Sequence, residues 1–532
     1  MTDESAGRPP VAAPDVTAGT RAAPSELLDA ELETLEARGL IEVAAYRPEL
    51  EYLFRHWLIQ DAAYGSLLKQ ERRELHRLVG EAVESLYPDR HDEMAGVLAM
   101  HFEQAGDTPR AVEYLLADGH YALDRNAIRE AHAAFDRAAS LLPRPGPDAT
   151  EPTRRQWVDV QLLRARAGWP FLPTSQVLAE LQAIVPEVEQ LGDPELAAQA
   201  HLQIAFIGIE AGSAPDPLVA RSMERLAELA SVLDDPSLAA LPLALRAMNK
   251  VFTGPIGEGV AALESAIPLM EKRRDFIGAA FARGWLAMGY AQLGEFEKAE
   301  AASREATRQA AAGDVIAQLD AQIAEAMVRS LRGELDEAEP LAVACVDRSQ
   351  ESGATYCAVV SAWILGDVYQ RQGRPQEAGQ ALQLGLDISP GLEPGMWGPT
   401  LQAWIRANAA TLGDNQGSDE GWDEPLAETR RSGNRLSEAA VLWKRAEAAI
   451  EEQRWETAFR DLARSASILE EQGARPNLAR LTRGWGTALR SAGHADEGDE
   501  KLRQALALFE AMGLEREAQQ VRDELARAPG PR

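Results

Sequence analysis

Cysteine is almost missing from this chain: Cys345 and Cys357 are the only two in 532 residues. Two cysteines are too few for a disulfide framework, and they read as small core residues suited to a reducing compartment. Aromatic residues make up only 6%. No apolar run approaches the ~20 residues that a membrane-spanning helix needs. The first 23 residues have neither a basic stretch nor an apolar one, so they read as a disordered tail and not as a targeting peptide. Basic residues are outnumbered, and the formal net charge is −30. A groove that tracks a phosphate backbone needs a basic surface, so neither nucleic acid nor an anionic membrane is expected as a partner.

Lysine is scarce as well. The six lysines stand at 69, 250, 272, 298, 444 and 501, and none follows a glycine. A phosphate-binding loop of the Gly-Lys-Ser/Thr kind is therefore absent. The chain also has no His-Glu-x-x-His, no Gly-x-Ser-x-Gly, and no Cys/His set at structural-zinc spacing. His101 with Glu103, and Glu130 with His132, are two apart and would diverge on a helix. The expectation is a chain with no catalytic residues, no cofactor and no metal, hence not an enzyme.

What is present is helix-forming sequence that repeats itself. Ala, Leu, Glu, Arg and Gln recur throughout, and these lose little rotamer freedom in a helix. The run Ala358 to Pro390 shows one unit. Leu365, Gly366 and Tyr369 lie on a first helix, Gly373 makes the turn, Ala378 lies on a second helix, and Pro390 closes it. Earlier units carry Ala326, Gly333, Ala338 and Cys345, and Leu286, Tyr290, Gly294, Ala299 and Ala306. Later ones carry Trp455 with Ala458, and Trp485-Gly486 with Gly493 and Ala505.

The small residue of the second helix falls at 299, 338, 378, 458 and 498, in steps of 39, 40, 80 and 40. The double step implies a degenerate repeat near 418, where Gly413 to Gly421 reads as a loop. Another unit has Leu115, Gly119, Ala131, Phe135, Ala138 and Pro143. A repeat of two helices cannot bury its apolar faces alone and must stack on its neighbours. The fold class is therefore all-α, a tetratricopeptide-like superhelical solenoid.

The stretch 25–70 differs. Ser25 opens a helix to about Ala37, with Leu27, Leu28, Leu32 and Leu35 on one face, and Gly39 ends it. Leu40 to Ala45 and Glu51 to Phe54 read as two strands around a turn at Arg47-Pro48, and a helix resumes near Trp57. This order suits the end of a winged-helix domain. The expected division is a tail over 1–24, a winged-helix remnant over 25–70, first repeats over 71–143 and a linker over 144–153. Degenerate repeats follow over 154–275, clear repeats over 276–526, and a tail over 527–532. The linker rests on Pro143 to Pro152, which has four prolines and one glycine.

The run Tyr52-Leu53-Phe54-Arg55-His56-Trp57-Leu58-Ile59-Gln60-Asp61-Ala62-Ala63-Tyr64 resembles the segment that joins winged helix to repeats in bacterial signal-transduction ATPases. Many of those carry an adenylate or guanylate cyclase domain, and others a transcription-factor domain. Arg72-Arg73-Glu74-Leu75-His76 and His101 to Asp107 continue the likeness, which covers about residues 26 to 143. The resemblance implies that His56 corresponds to a phosphate-sensing histidine. With no nucleotide loop in the chain, His56 would be a vestigial sensor or a structural histidine. About 24 residues precede the remnant, too few for an ATPase or cyclase domain.

A paired-helix solenoid offers a groove lined by its first helices. At the groove positions stand Gly284 and Met288, Ile323 and Met327, Trp363 and Asp367, and Trp443 and Glu447. These depart from the lysines and asparagines of a carboxylate clamp. They predict an apolar, partly aromatic groove with acidic edges, or else tryptophans packed as core. The function expected is a cytoplasmic interaction and sensor module that binds a peptide or protein partner, with an ATPase or cyclase domain on another chain as one candidate partner. The alternatives are the regulatory C-terminal part of a split cyclase–ATPase and the sensor arm of a transcription regulator.

Overall fold

The structure is a computed structural model. It describes residues 24–45, 51–210, 216–234, 240–272, 276–311, 313, 315–388, 398–412 and 420–527. The expected tail over 1–23, the turn at Arg47-Pro48, Pro390, the 413–419 part of the expected loop and residues 528–532 lie outside the described residues.

The chain forms two compact units. One comprises 1–88 with 100–108, and the other comprises 89–99 with 109–532. The first unit opens with α1 (Pro24–Ala37), β1 (Ile41–Ala45), β2 (Glu51–Phe54), α2 (Trp57–Ser66) and α3 (Lys69–Leu86). The strands pair antiparallel, Ile41 opposite Phe54 and Val43 opposite Tyr52, with an irregularity between Val43 and Ala45. Gly39 ends α1 at φ +71°, where glycine avoids the Cβ clash. The helix–hairpin–helix order matches the sequence reading to within a residue. Within the same unit, Phe102 fills the space above Gly80, where a Cβ would stand 2.9 Å from the ring.

After α4 (Ala95–Ala105) the chain is wholly helical among the described residues. It runs through α5 (Thr108–Asp124), α6 (Ile128–Leu141), α7 (Glu151–Gly168), α8 (Thr174–Leu191), α9 (Pro194–Glu210), α10 (Pro217–Val232), α11 (Ala240–Thr253) and α12 (Ile256–Lys272). The regular repeats follow: α13 (Phe276–Leu293) with α14 (Phe296–Ala310), α15 (Val315–Arg332) with α16 (Leu335–Ser352), and α17 (Thr355–Arg371) with α18 (Pro375–Ile388). Then come α19 (Gly398–Thr411) with α20 (Glu420–Arg431), α21 (Arg435–Glu451) with α22 (Trp455–Gln472), and α23 (Arg475–Ser491) with α24 (Ala495–Ala511). A last helix, α25 (Glu515–Ala526), packs on α24. This is a tetratricopeptide-like helical solenoid.

The packing explains the sequence marks. Ala299, Ala338, Ala378 and Ala458 have no exposed surface, and Gly498 is buried, because the two helices of each hairpin cross there. At Gly498 the backbones approach so closely that a Cβ would lie 2.7 Å from the Gly486 carbonyl. The degenerate repeat near 418 is the pair α19 and α20. Glu420 and Gly421 belong to α20 and not to the loop read from sequence.

The first helices α9, α11, α13, α15, α17 and α19 each touch the next first helix, up to α21, so they form one continuous inner layer. This layer coils tightly enough to meet itself. The α11 helix touches α21 and α13 touches α23, five hairpins further on in each case. At the same interval, the amide of Tyr356 on α17 donates to the Pro170 carbonyl between α7 and α8 at 2.9 Å.

Candidate functional site

Where the inner layer meets itself, residues of α13, α15 to α19, α21 to α23 and α25 line a cavity of about 1330 Å³ that is half open to solvent. Its walls come from residues between Gln292 and Glu524, all within the larger unit.

One end is aromatic. Trp363 of α17 and Trp404 of α19 meet edge to face with ring centroids 5.9 Å apart. Lys444 of α21 is buried between two indoles, its Nζ 4.4 Å from the Trp404 ring and 5.7 Å from that of Trp443. A buried ammonium needs partners. Here Nζ donates to Glu447 at 2.9 Å and to Gln370 at 3.1 Å, besides facing the rings. Asn408 donates to the Pro375 carbonyl at 2.9 Å, and Thr400 donates to Ser437 at 2.8 Å.

The other end is ionic and is the seam of the closed coil. Arg480 of α23 donates through Nη2 to the Leu331 carbonyl at 2.6 Å and to Glu517 of α25 at 2.8 Å. Arg371 of α17 donates to the Ser330 carbonyl at 2.7 Å and faces Asp367 at 3.5 Å and Glu517 at 3.8 Å. Burial, and next the nearby charge of Arg371, pull the Arg480 guanidinium down to about 10, so it stays charged at neutral pH. Arg483 pairs with Glu524 and donates to Gln520 at 2.7 Å.

Of the groove residues expected from sequence, Met327, Trp363, Asp367, Trp443 and Glu447 all line this cavity. Met288 does not. It is buried in the core with Ile323, and a Cβ at Gly284 would point at Ala324, so this part of α13 faces the neighbouring first helix. His56 lies in the smaller unit, exposed at the residue before α2 with extended backbone (φ −144°), and its side chain does not cap the helix.

Sequence reasoning missed Arg371, Trp404, Lys444, Arg480 and Glu517. The lining contains six basic side chains (Arg371, Arg374, Lys444, Arg480, Arg483 and Arg516) against six acidic ones. A parity of charge inside a chain of net charge −30 departs from the groove with acidic edges read from sequence. One signal was legible: Arg480 and Arg483 stand three apart on a first helix, and so share a face.

No described protein family matches the sequence. A stretch of 95 residues is 36% identical to an uncharacterized protein of Rhizobium meliloti (strain 1021), covering 17% of this chain and 9% of that protein. The chain thus spans about a tenth of the curated relative it matches. Among solved structures, a Rap protein complexed with competence and sporulation factor superposes with TM-score 0.52 at 12% identity, over 67% of this chain and 98% of that one. A signal-transduction ATPase with numerous domains and a tetratricopeptide repeat sensor, from Pyrococcus horikoshii, gives 0.38 at 13% identity over 81% and 60%. Human IFIT1 with PPP-AAAA gives 0.41 at 12% identity over 78% and 89%. For the Rap protein, at 12% identity, the likeness is one of fold alone. Among the described residues, no helix is long and apolar enough to cross a membrane.

Proposed function

We propose that this chain is a non-catalytic interaction module that takes a peptide, or an extended segment of a protein partner, into the cavity of its coiled inner layer. The cavity itself carries this reading: it is concave and roomy, walled at one end by three tryptophans, and lined by polar groups projecting from several helices. Aromatic surface supplies binding energy at little entropic cost, and the fixed polar groups supply orientation. The Rap protein of like fold, crystallised with competence and sporulation factor, is a precedent for a ligand on this scaffold.

Tryptophan fluorescence and calorimetry of the purified chain with short peptide pools test the proposal. Saturable binding that is lost in Trp443→Ala supports it. Turnover of ATP, or synthesis of a cyclic nucleotide, would overturn the non-catalytic part. A cytoplasmic signalling setting, with the chain acting as a relative of the sensor arm of signal-transduction ATPases, completes the proposal. It rests on the likeness over 26 to 143.

A second reading has its own observation. The smaller unit leaves Leu53, Phe54, Trp57 and Leu58 exposed, Trp57 at 67%. Contiguous exposed apolar side chains of this size mark contact surfaces. Together with the much longer curated relative, they favour an ATPase or cyclase domain resting on this unit, in the same polypeptide or on another chain. An immunoblot of producing cells separates the two: a band near 58 kDa supports the free-standing module, and one above about 100 kDa supports the larger enzyme.

A further inference from the structure

Three buried atoms in the cavity wall have no hydrogen-bond partner among the described residues: Nη1 of Arg480, Nε1 of Trp404 and Nε2 of Gln292. They come from three different helices, α23, α19 and α13. All three are N–H donors, and none can accept. Four carboxylates nearby already hold partners. Glu517 receives Arg480, Asp367 receives Ser330 and faces Arg371, Glu447 receives Lys444, and Glu524 pairs with Arg483. The wall therefore has donors to spare, one of them on a cation. Buried unmatched donors are costly and rare in native proteins, and their gathering in one cavity calls for acceptors from outside.

We infer that the ligand of this cavity carries a carboxylate, which seats on the free edge of the Arg480 guanidinium. Further acceptor atoms of the ligand, such as peptide carbonyls, meet the Gln292 amide and the Trp404 indole N–H. The apolar part lies against the tryptophan end. A carboxylate suits the site because a guanidinium edge matches its plane and because a charge-assisted bond is about twice as strong as a neutral one. The inference rests on the binding function proposed above and specifies its chemistry. The carboxylate can come from a peptide C-terminus, from an Asp or Glu side chain, or from a small organic acid.

The test uses the full-length chain and four probes, read by calorimetry and tryptophan fluorescence. The first is a pool of apolar hexapeptides with free C-termini. The second is the same pool amidated. The third is an amidated pool with one Asp or Glu per peptide, and the fourth is glutarate. At least one carboxylate probe is expected to bind about tenfold or more tightly than the amidated acid-free pool. The first, third or fourth probe then identifies the source. Arg480→Met should remove that preference.

Arg480 also closes the coil, so Gln292→Met serves as the second variant. It removes the unmatched Nε2 donor, and should keep the fold while weakening the bound probe several-fold. Equal binding of the acid-free amidated pool, or unchanged affinity in both variants, overturns the carboxylate and leaves the peptide reading standing. Binding of glutarate with no peptide bound overturns the peptide reading and leaves the carboxylate standing. Binding of no probe overturns both.

Discussion

Arg480 reaches back 149 positions to donate a 2.6 Å hydrogen bond to the carbonyl of Leu331, and the same nitrogen donates to Glu517 at 2.8 Å. The Arg480 and Glu517 side chains are only 12% and 10% exposed, so the seam of the coil is a buried ion pair. Removing one member leaves the other charged and buried. Arg480→Met is therefore expected to lower unfolding free energy by about 3 kcal/mol, and Glu517→Gln by a similar amount. The double variant should lose less than the sum. Urea unfolding of the four proteins closes this cycle, and additive losses would show that the pair is not coupled.

The same seam makes two turn glycines unequal to a third. Gly333 sits at φ +85°, and a Cβ there would lie 2.6 Å from Glu517 Oε1. Gly294, at φ +78°, would put one 2.5 Å from Met512 Sδ. Gly373, at φ +75°, has nothing within 4 Å. Alanine at 373 should cost only the backbone strain, about 1–2 kcal/mol. At 294 and 333 the clash adds to it, with a melting temperature below that of Gly373→Ala. Equal melting temperatures for the three variants would mean that the seam does not form.

The helix crossings predict overpacking. Ala338 has no exposed surface, so Ala338→Leu should destabilise by about 1–3 kcal/mol, as read from the denaturation midpoint. The exposed Ala30 of α1 is the control, and Ala30→Leu should leave stability within about 0.5 kcal/mol.

In the smaller unit, Nδ1 of His76 lies 3.0 Å from Nδ1 of His101, and Nε2 of His76 lies 3.0 Å from the Tyr64 hydroxyl. Burial pushes both imidazoles below the usual histidine range, and at His101 the neighbouring His76 adds to this. The unfolded chain therefore takes up protons before the folded one does. Stability is complete above about pH 6.5 and falls as the pH drops below it. Protection factors of the α3 amides, corrected for the intrinsic pH dependence of exchange, should fall between pH 7 and 5.5, and imidazole titration by NMR should give both midpoints below 6.5. Midpoints at or above 6.5 would refute the assignment.

Much of this protein was legible in local signals. The hairpin at 41–54, the helices around it and the repeat period all show themselves over short spans of sequence. So did Met327, Trp363, Asp367, Trp443 and Glu447, because spacing along a helix fixes which residues share a face. Met288 failed for the same reason that the others succeeded. The period places it on a first helix but does not say whether that part faces the cavity or the next helix.

The amino-acid sequence by itself determined the helices, their pairing into hairpins and the small residues at their crossings, since each depends on neighbours within about forty positions. Only the tertiary structure decided that the inner layer closes after five hairpins. That closure depends on the small rotation between successive hairpins, summed around the coil, which no local pattern records. It alone brings Arg480 to Leu331, and so turns an open groove into a cavity with donors left to satisfy.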